Sequence, residues 1–387
     1  MRLVLRWLIR GFVAMALATL AVGIWKREGI MRLWAVNSLF SESRIVENFS
    51  NMDAAFLTRD VPRGNGAVST LPKGPPMTLP PGADAWIKAR AITSLLVLKR
   101  GEIVHESYHL GTGPEVLRIS WSIAKGFVSA LLGVLLEEGS ITSLDDPVTQ
   151  YASNLKGTAY DGASIRNVLH MASGVLFDED YLDKSSDINR MGRVLALGGS
   201  MDGFTLGLTD TIAPPGQKWR YVSIDTHVIG MVIRGATGRD IPSLMSEKII
   251  APLGLEATPY YVTDGTGVAF VLGGLNMTTR DYARFGLMVE QDGRYGDQQI
   301  VPANWIHLAT QPSAPTERGQ IGYGLHWWVP EDAPAGVFMA RGIYGQYIYI
   351  DQTRDTVIVT TGADLDFRAP TAHTANMAMF RAIAQAR

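Results

Sequence analysis

One apolar stretch constrains the fold more than any other part of this 387-residue chain. Residues 118–139 begin with hydroxyl side chains, continue with apolar side chains on nearly every face, and end at Gly139. Glycine suits the left-handed turn that closes a helix, so the stretch predicts one helix that stops there. A helix that is apolar all round is buried, and we therefore expect it at the centre of a domain.

Two polar residues near the start of this helix suggest chemistry. Ser122 and Lys125 are three residues apart, so they stack on one face. A serine hydroxyl is a poor nucleophile unless a base takes its proton, and a desolvated lysine can be that base. The free N–H groups of a helix N-terminus also favour a developing anion. An ordinary polar first turn is the alternative, because the same Ser-x-x-Lys pattern recurs at Ser153 and Lys156 in a polar loop.

Composition excludes several classes of function. Hydrophobic residues make up 47% and charged residues 19% of the chain, which is typical of a globular protein. A formal net charge of -2 leaves no overall basic character for nucleic-acid binding. Without cysteine the chain has no disulfide, thiolate metal site or cysteine nucleophile, and no pattern in it indicates a cofactor.

The first residues differ in composition from the rest. Three arginines precede an apolar run over residues 11–25, and two basic residues close it. With the apolar residues 7–9 in front of this run, the segment is just long enough to span a bilayer, so residues 1–30 predict an N-terminal membrane anchor with the lipid bilayer as a partner. The expected location is the cell membrane, with the catalytic domain outside the cytoplasm, in the periplasm. A signal segment removed on secretion is the alternative.

The remaining chain divides by pattern. Residues 31–85 carry proline and glycine turn signals with little periodicity, which predicts an irregular connector on the domain surface. Residues 86–387 then form one domain. Strand patterns at 86–117 and 311–387 predict a sheet lobe built from both ends of that domain, and the mostly helical residues 118–310 predict an inserted lobe.

One motif suggests a metal site. His105 and His109 flank Glu-Ser-Tyr and fit the His-Glu-x-x-His pattern of zinc peptidases, which requires a helix. Here the flanking residues predict a β-hairpin, in which the two histidines would lie roughly 13 Å apart. The sequence therefore favours surface strand residues and no metal, with a zinc peptidase as a competing hypothesis.

Two further stretches carry candidate chemistry. Tyr221 and Ser223 follow a Pro-Gly loop and precede a predicted helix. A desolvated tyrosine beside a lysine ammonium can have its pKa lowered and act as a general base, although a tyrosine that caps a loop is the alternative. Residues 341–347 place glycines on a strand, which often marks a close approach. That strand could supply one backbone N–H of an oxyanion hole, together with that of Ser122.

Taken in this order, Ser122-Ile-Ala-Lys125, Tyr221-Val-Ser223 and residues 341–347 resemble the motifs of the serine β-lactamase and penicillin-binding-protein superfamily. Within its class C-like branch, the chain is most similar to 6-aminohexanoate-dimer hydrolases and related carboxylesterases, over about residues 86–387. The resemblance implies an α+β, β-lactamase-like fold, in which an antiparallel sheet flanked by helices carries a mostly helical insertion. It implies a serine hydrolase that cleaves small-molecule esters or amides through an acyl-enzyme.

The resemblance also implies roles for individual residues. Ser122 is the expected nucleophile, with Lys125 and Tyr221 as general base and acid. The backbone N–H groups of Ser122 and Tyr347 are the expected oxyanion hole. Further residues expected to contact substrate are Tyr181, Ser223, Asn276, Tyr344, Gly345 and Gln346. For Tyr181, an aromatic residue of an ordinary surface loop is the alternative.

One departure from the family pattern limits what the resemblance implies. Tyr344 stands where β-lactamases carry a lysine and many esterases a histidine, so β-lactam hydrolysis is not expected. A second hypothesis is a non-hydrolytic receptor of the same fold that binds penicillin or muropeptide and stays acylated. No Gly-x-Ser-x-Gly sequence occurs, which disfavours an α/β-hydrolase.

Overall fold

The computed structural model describes residues 2–25 and 27–386. Its helices are α1 (Arg2–Trp25), α2 (Arg27–Asn37), α3 (Ile45–Asn48), α4 (Met52–Ala55), α5 (Ala83–Ala89), α6 (Ala124–Glu137), α7 (Val148–Tyr151), α8 (Ile165–Leu169), α9 (Asp187–Ala196), α10 (Met201–Leu206), α11 (Ile224–Thr237), α12 (Ile241–Met245), α13 (Ala251–Leu253), α14 (Thr279–Glu290), α15 (Ala303–Ala309) and α16 (Pro370–Gln385). Tighter 3₁₀ turns occur at Trp121–Ile123, Ser153–Leu155, Ile343–Gly345 and Gln352–Arg354, and a wider π turn at Ser246–Ile250.

The strands are β1 (Leu57–Asp60), β2 (Ile92–Lys99), β3 (Glu102–Tyr108), β4 (Arg118–Ile119), β5 (Tyr260–Thr263), β6 (Leu275–Met277), β7 (Arg294–Tyr295), β8 (Gln298–Gln299), β9 (Gly322–Tyr323), β10 (Trp328–Val329), β11 (Val337–Gly342), β12 (Gln346–Asp351) and β13 (Thr356–Gly362). In the described residues, seven of these strands form an antiparallel sheet in the order β3-β2-β13-β12-β11-β10-β9. Strands from both ends of the predicted domain thus meet in one sheet, which confirms the predicted α+β fold class.

The main sheet is covered on both faces because its side chains alternate along each strand. On β12, Ile348 and Ile350 belong to the main core, whereas Tyr347 and Tyr349 belong to a second cluster. That second cluster includes Phe380 of α16, whose ring lies 5.2 Å from the ring of Tyr347. The sheet therefore lies between two apolar layers, and its central strands are buried.

The predicted central helix is present as α6 and is buried along most of its length. Gly133 allows it to pack closely, since a Cβ there would lie 2.3 Å from the Trp305 ring. The chain leaves the helix at Gly139, whose φ of +76° is in the left-handed region. The predicted start was wrong: Arg118 and Ile119 are not helical but form β4, which pairs with β6 in a small sheet of order β1-β5-β6-β4.

The prediction of an irregular surface connector over residues 31–85 was wrong for the first half of the segment. Most of α2, together with α3, α4 and β1, lies between residues 31 and 60, and Leu39, Ile45, Phe49 and Val61 are buried in the main core. The apolar residues of these short elements follow no regular period, so local sequence did not reveal that they pack against the domain. The segment is part of the folded body.

The N-terminal prediction needs a correction as well. Residues 5–21 of α1 are solvent-exposed. Among the residues that the structure describes, no helix is both long enough and apolar enough to cross a membrane. This finding overturns the predicted membrane-spanning anchor, the bilayer as a partner and the predicted cell-membrane location.

The His-Glu-x-x-His segment lies in a β-hairpin, as predicted. His105 is in β3, and Ser107 bridges the histidines, its Oγ lying 3.0 Å from Nε2 of each of His105 and His109. Glu106, on the other side of the strand, binds Arg280 through two hydrogen bonds. Across residues 2–25 and 27–386, no group of three His, Asp or Glu side chains is arranged to hold a metal ion.

Candidate active site

Ser122 lies in a strained turn at the entrance to α6. The preceding Trp121 has a φ of +42°, a left-handed conformation that a bulky aromatic residue rarely adopts. Strain of this kind persists where surrounding packing imposes it, and it is concentrated at functional sites. Ser120 fixes the other side of the turn, because its N–H donates to the carbonyl of Leu275 on β6 at 2.7 Å. The turn is therefore held from both sides.

An aromatic cluster supports this turn. The Trp121 ring lies 5.8 Å from that of Phe40 and 5.4 Å from that of Phe49, and Phe40 stacks on Tyr344 at 5.2 Å. Phe40 and Phe49 belong to the segment that the sequence had suggested was a surface connector. Such ring pairs contribute about 0.5–1.5 kcal/mol each beyond the area they bury. The N-terminal segment thus stabilises the turn that carries Ser122.

Lys125 contacts Ser122 directly, as their spacing on one face predicts. Its Nζ donates to Ser122 Oγ at 2.9 Å, to the carbonyl oxygen of Leu272 at 2.8 Å and to Ser223 Oγ at 3.3 Å. The lysine is only 1% exposed. Desolvation lowers the pKa of Lys125 to about 7, against smaller opposing effects of Glu179 and Asp225. A substantial fraction is therefore neutral near pH 7 and able to accept the serine proton.

Tyr221 lies over the same pair, with its ring centroid 5.4 Å from Lys125 Nζ. The sequence interpretation, in which the lysine lowers the pKa of the phenol, was wrong. Burial and then the charge of Glu179 raise the pKa of Tyr221 well above its ordinary value, despite the opposing effect of the Ser122 hydroxyl. Tyr221 is therefore a neutral phenol at neutral pH, suited to donating a proton and unsuited to acting as an ionised base.

Glu179 connects Ser223 and Tyr181 through hydrogen bonds. Its carboxylate accepts hydrogen bonds from the N–H of Ser223 at 2.9 Å, from the Ser223 hydroxyl and from the Tyr181 hydroxyl at 2.5 Å. Ser223 in turn accepts from Lys125. A chain of hydrogen bonds thus connects Tyr181 to Lys125, and it holds Ser223 beside the lysine.

The oxyanion-hole prediction requires a correction at Tyr347. This residue is within β12, paired with Arg341 on β11 and with Thr360 on β13, so its N–H belongs to the ladder of a central strand. Ile343, just beyond the end of β11, is better placed. Ile343 lines both cavities that contain Ser122, whereas Tyr347 lines one of them, and a Cβ on the adjacent Gly342 would lie 3.1 Å from the Ser122 nitrogen.

The structure does not bring four other predicted residues to the substrate space. Tyr344 is buried in the aromatic cluster, and the Gly345 carbonyl accepts a hydrogen bond from Thr360. The Gln346 amide is used on backbone groups, including two hydrogen bonds with Gly362. Asn276 is buried on β6 and donates to the Gly274 carbonyl. Their surroundings favour structural roles, because each is buried and none lines a described cavity that contains Ser122.

Tyr181, by contrast, lines a cavity together with Ser122. A cavity of about 440 Å³, the Tyr221 cavity, is lined by Ser122, Tyr221, Tyr181 and Arg341 among others. The Arg341 guanidinium lies 5.5 Å from the centroid of the Trp328 ring in the same wall. The cavity has the size and mixed polarity of a small-molecule site.

Sequence reasoning missed Glu179, Ile343 and Arg341. Glu179 stands in an acidic loop where neighbouring carboxylates look alike in sequence, and only the fold selects the one that reaches Ser223. Ile343 is a single apolar residue whose candidate role is carried by its backbone, which leaves no residue-type signal. Arg341 could have been found from the sequence, since it is the positively charged residue of the glycine-containing stretch 341–347.

The chain and its fold correspond to a known family. The sequence profile of the Beta-lactamase family matches residues 84–375. Because that match covers most of the chain, the protein belongs to the beta-lactamase family, and its mixed α/β architecture agrees with this membership. The predicted superfamily is therefore confirmed.

Two relatives carry the same name. The 6-aminohexanoate-dimer hydrolase of Paenarthrobacter ureafaciens is 28% identical over 293 residues, which are 72% of this chain and 74% of that protein. A solved structure from Bacillus anthracis that carries the name of a 6-aminohexanoate-dimer hydrolase has a TM-score of 0.80 at 25% identity, covering 89% of this chain and 95% of that one. These similarities place the chain in a β-lactamase-like hydrolase family.

A more distant structure has the same fold. EstCE1, described as a hydrolase with promiscuous acyltransferase activity, has a TM-score of 0.63 at 17% identity, covering 78% of this chain and 96% of that one. At this identity the comparison shows the fold alone.

Replacing Glu179 by glutamine is expected to move the pH profile of any Lys125-dependent reaction. The carboxylate charge of Glu179 raises the pKa of Lys125, so its removal lowers that pKa further. Glutamine retains an acceptor for the Ser223 N–H. We expect the acid limb of kcat/KM to shift to lower pH, measured with a chromogenic ester. Asp180→Asn is the matched control, and an acid limb that stays in place would contradict the link.

Proposed function

We propose that this protein is a serine hydrolase that cleaves ester or amide bonds of small molecules through an acyl-enzyme on Ser122. The observation that carries the proposal is the 2.9 Å hydrogen bond between Lys125 Nζ and Ser122 Oγ. Burial lowers the pKa of this lysine to about 7. Family membership supports the same reading, since the named relatives are hydrolases.

In the proposed mechanism, neutral Lys125 takes the proton of the Ser122 hydroxyl, and the serine oxygen forms a bond to the substrate carbonyl carbon. The resulting oxyanion lies between the N–H groups of Ser122 and Ile343. Each of these two residues lies at the start of a 3₁₀ turn, before the first N–H group that donates within that turn. Neither N–H therefore has a partner within its own turn.

Collapse of this intermediate requires a proton for the leaving group. Tyr221, a neutral phenol, supplies that proton and is reprotonated by the ammonium of Lys125, 5.4 Å from its ring centroid. Water then attacks the acyl-enzyme by the same route in reverse, which frees the acid and restores Ser122. The hydrogen bonds of Glu179 position Ser223 beside the lysine throughout.

The proposed catalytic unit includes more of the chain than the sequence indicated. It comprises the sheet lobe (residues 86–117 and 311–387) and the helical lobe (residues 118–310), with Ser122 between them. Residues 39–61 also belong to it, because their apolar side chains are part of the main core and support Trp121. Linear amides are included in the substrate class because the relative from P. ureafaciens is named for a dimer of 6-aminohexanoate.

The test uses the full-length protein, a p-nitrophenyl ester and a fluorophosphonate probe. We expect steady release of p-nitrophenol, and peptide mapping of the labelled protein should find the adduct on Ser122. Ser153, in the second Ser-x-x-Lys pattern, is an internal control that should remain unlabelled.

Two other outcomes would count against the proposal. Folded protein with neither turnover nor adduct would refute a serine hydrolase. An adduct on Ser122 without turnover would favour the alternative function, a receptor that binds a penicillin or muropeptide and remains acylated.

A further inference from the structure

A second cavity also opens onto Ser122. This Phe270 cavity has a volume of about 380 Å³ and includes Leu272, whose carbonyl binds Lys125. Ser122, Tyr181 and Ile343 line both this cavity and the Tyr221 cavity. The proposed nucleophile is therefore at the junction of two spaces, an arrangement that can hold the two halves of a substrate on either side of the bond to be cleaved.

The walls of the Phe270 cavity are mainly apolar. Its buried side chains include Leu39, Phe56, Met191, Leu195, Phe270 and Leu272. Two polar side chains of the wall already have partners: Ser223 is bound to Glu179, and the Asn189 amide donates to the carbonyl oxygens of Tyr181 and Asp183. The indole N–H of Trp121 is the exception among the buried polar atoms of this wall, because it has no partner among the described residues. A ligand here gains from apolar contact and finds few free polar partners, which favours a hydrocarbon chain.

The charges around the cavity have one sign. Lys184 and Arg193 line it, and no acidic side chain does so within the described residues. The Arg193 guanidinium donates to the Lys184 carbonyl, which holds the two residues together. A ligand that ends in an ammonium group would face two like charges without a carboxylate to bind it. The cavity therefore disfavours a cationic chain end.

Tyr221 indicates which half of a substrate enters which cavity. Its phenol lines the Tyr221 cavity and does not line the Phe270 cavity. In the proposed mechanism the leaving group takes its proton from Tyr221, so the leaving group lies on that side. The acyl half, which remains on Ser122, then extends into the Phe270 cavity.

We propose that the Phe270 cavity is an acyl-binding pocket for uncharged aliphatic chains, so that the enzyme prefers esters or amides of medium-chain fatty acids. This inference rests on the proposed function. Part of the wall, formed by Val36, Asn37, Leu39, Phe40 and Phe56, lies outside the residues 84–375 that match the family profile. The chain's own N-terminal segment thus helps to set the acyl preference.

The test compares p-nitrophenyl acetate, butyrate, hexanoate and 6-aminohexanoate as substrates of the full-length protein. Each methylene buried in the pocket should raise kcat/KM by about fourfold from acetate to hexanoate. The 6-aminohexanoate ester matches the hexanoate chain but ends in an ammonium group. We expect its kcat/KM to be at least about tenfold lower than that of the hexanoate ester. Both effects arise from the same cavity.

Two variants distinguish the pocket from a general effect on activity. Gly192→Leu adds a side chain at a helical wall position where a Cβ meets no atom within 4 Å, so it should lower the hexanoate-to-acetate ratio of kcat/KM. Lys184→Glu should reduce the difference in kcat/KM between the hexanoate and the 6-aminohexanoate esters. Gly66→Leu, at an exposed glycine with open space around it, is the matched control.

The outcomes separate this inference from the function on which it rests. Equal kcat/KM across the four esters, with Ser122 labelled by the fluorophosphonate, would overturn the acyl pocket and leave the hydrolase intact. A preference for the ammonium-ended ester would also overturn it. No hydrolysis of any ester and no adduct would instead refute the proposed function.

Discussion

Replacing Lys125 by methionine is expected to lower kcat/KM for esters and amides by about 10⁴-fold, the upper end of what one general base contributes. Methionine fills the same apolar space, but it cannot accept the Ser122 proton or donate to the Leu272 carbonyl. Steady-state kinetics with a p-nitrophenyl ester measure the loss. Lys156→Met, in the second Ser-x-x-Lys pattern, is the matched control and should retain wild-type activity.

The pH dependence of the wild type identifies the same group. Lys125 acts as a base only when neutral, and burial lowers its pKa to about 7. Activity should therefore rise as pH increases through about 7 and reach a plateau above it. An acid limb that lies far from neutral pH, or a Lys125→Met variant with near-normal activity, would contradict the role of Lys125.

Stability should respond to the same residue. The unfolded chain keeps the ordinary, higher lysine pKa, so between about pH 7 and that value the unfolded state binds more protons than the native state. The lysine's contribution to the free energy of unfolding thus rises with pH across this range and is lost as pH falls through about 7. Denaturant unfolding at several pH values should find this rise diminished in Lys125→Met, which distinguishes a changed base from a misfolded protein.

The second large effect is expected for Tyr221→Phe, and it should depend on the leaving group. Phenylalanine keeps the ring contact with Trp328, at 5.0 Å, but cannot protonate a leaving amine. We expect kcat/KM for an anilide to fall by about 10²- to 10³-fold. A p-nitrophenyl ester should lose much less, because p-nitrophenolate leaves without a proton.

The control for Tyr221→Phe is a neighbouring tyrosine that, like Tyr221, packs against Trp328. Tyr323 lies 6.2 Å from Tyr221 between ring centroids, and its hydroxyl has no hydrogen-bond partner among the described residues. Tyr323→Phe should leave kcat/KM for the anilide and for the p-nitrophenyl ester close to the wild-type values. Equal losses on anilide and ester in Tyr221→Phe would refute its assignment as the leaving-group acid.

Periodic patterns in the sequence predicted the regular elements well. The strands around residues 337–361 alternate between two apolar layers, and α6 is apolar on nearly every face, so both patterns were visible locally. The spacing of Ser122 and Lys125 was similarly informative, because residues three apart on a helical turn are neighbours whatever the rest of the chain does.

Interactions between distant segments could not be predicted in this way. Phe40 and Trp121 are far apart in sequence, and nothing local to residues 31–85 indicated that the segment stabilises the strained turn. The resemblance to the family had implied Tyr347 as the second oxyanion-hole residue. The sheet register pairs Tyr347 with residues of two neighbouring strands, whereas Ile343 lies outside the strands and lines both cavities that contain Ser122.

The sequence by itself determined the family, the central helix and the pairing of a serine with a lysine, because these depend on residue type at short spacing. Only the tertiary structure decided how those groups behave. Burial, which is a property of the whole fold, lowers the pKa of Lys125 and raises the pKa of Tyr221. For Tyr221 this is the opposite of the sequence-based expectation, in which the charge of the lysine lowers the pKa of the phenol. The fold also decided the proposed substrate space, since two cavities lined by residues from distant parts of the chain share Ser122, Tyr181 and Ile343.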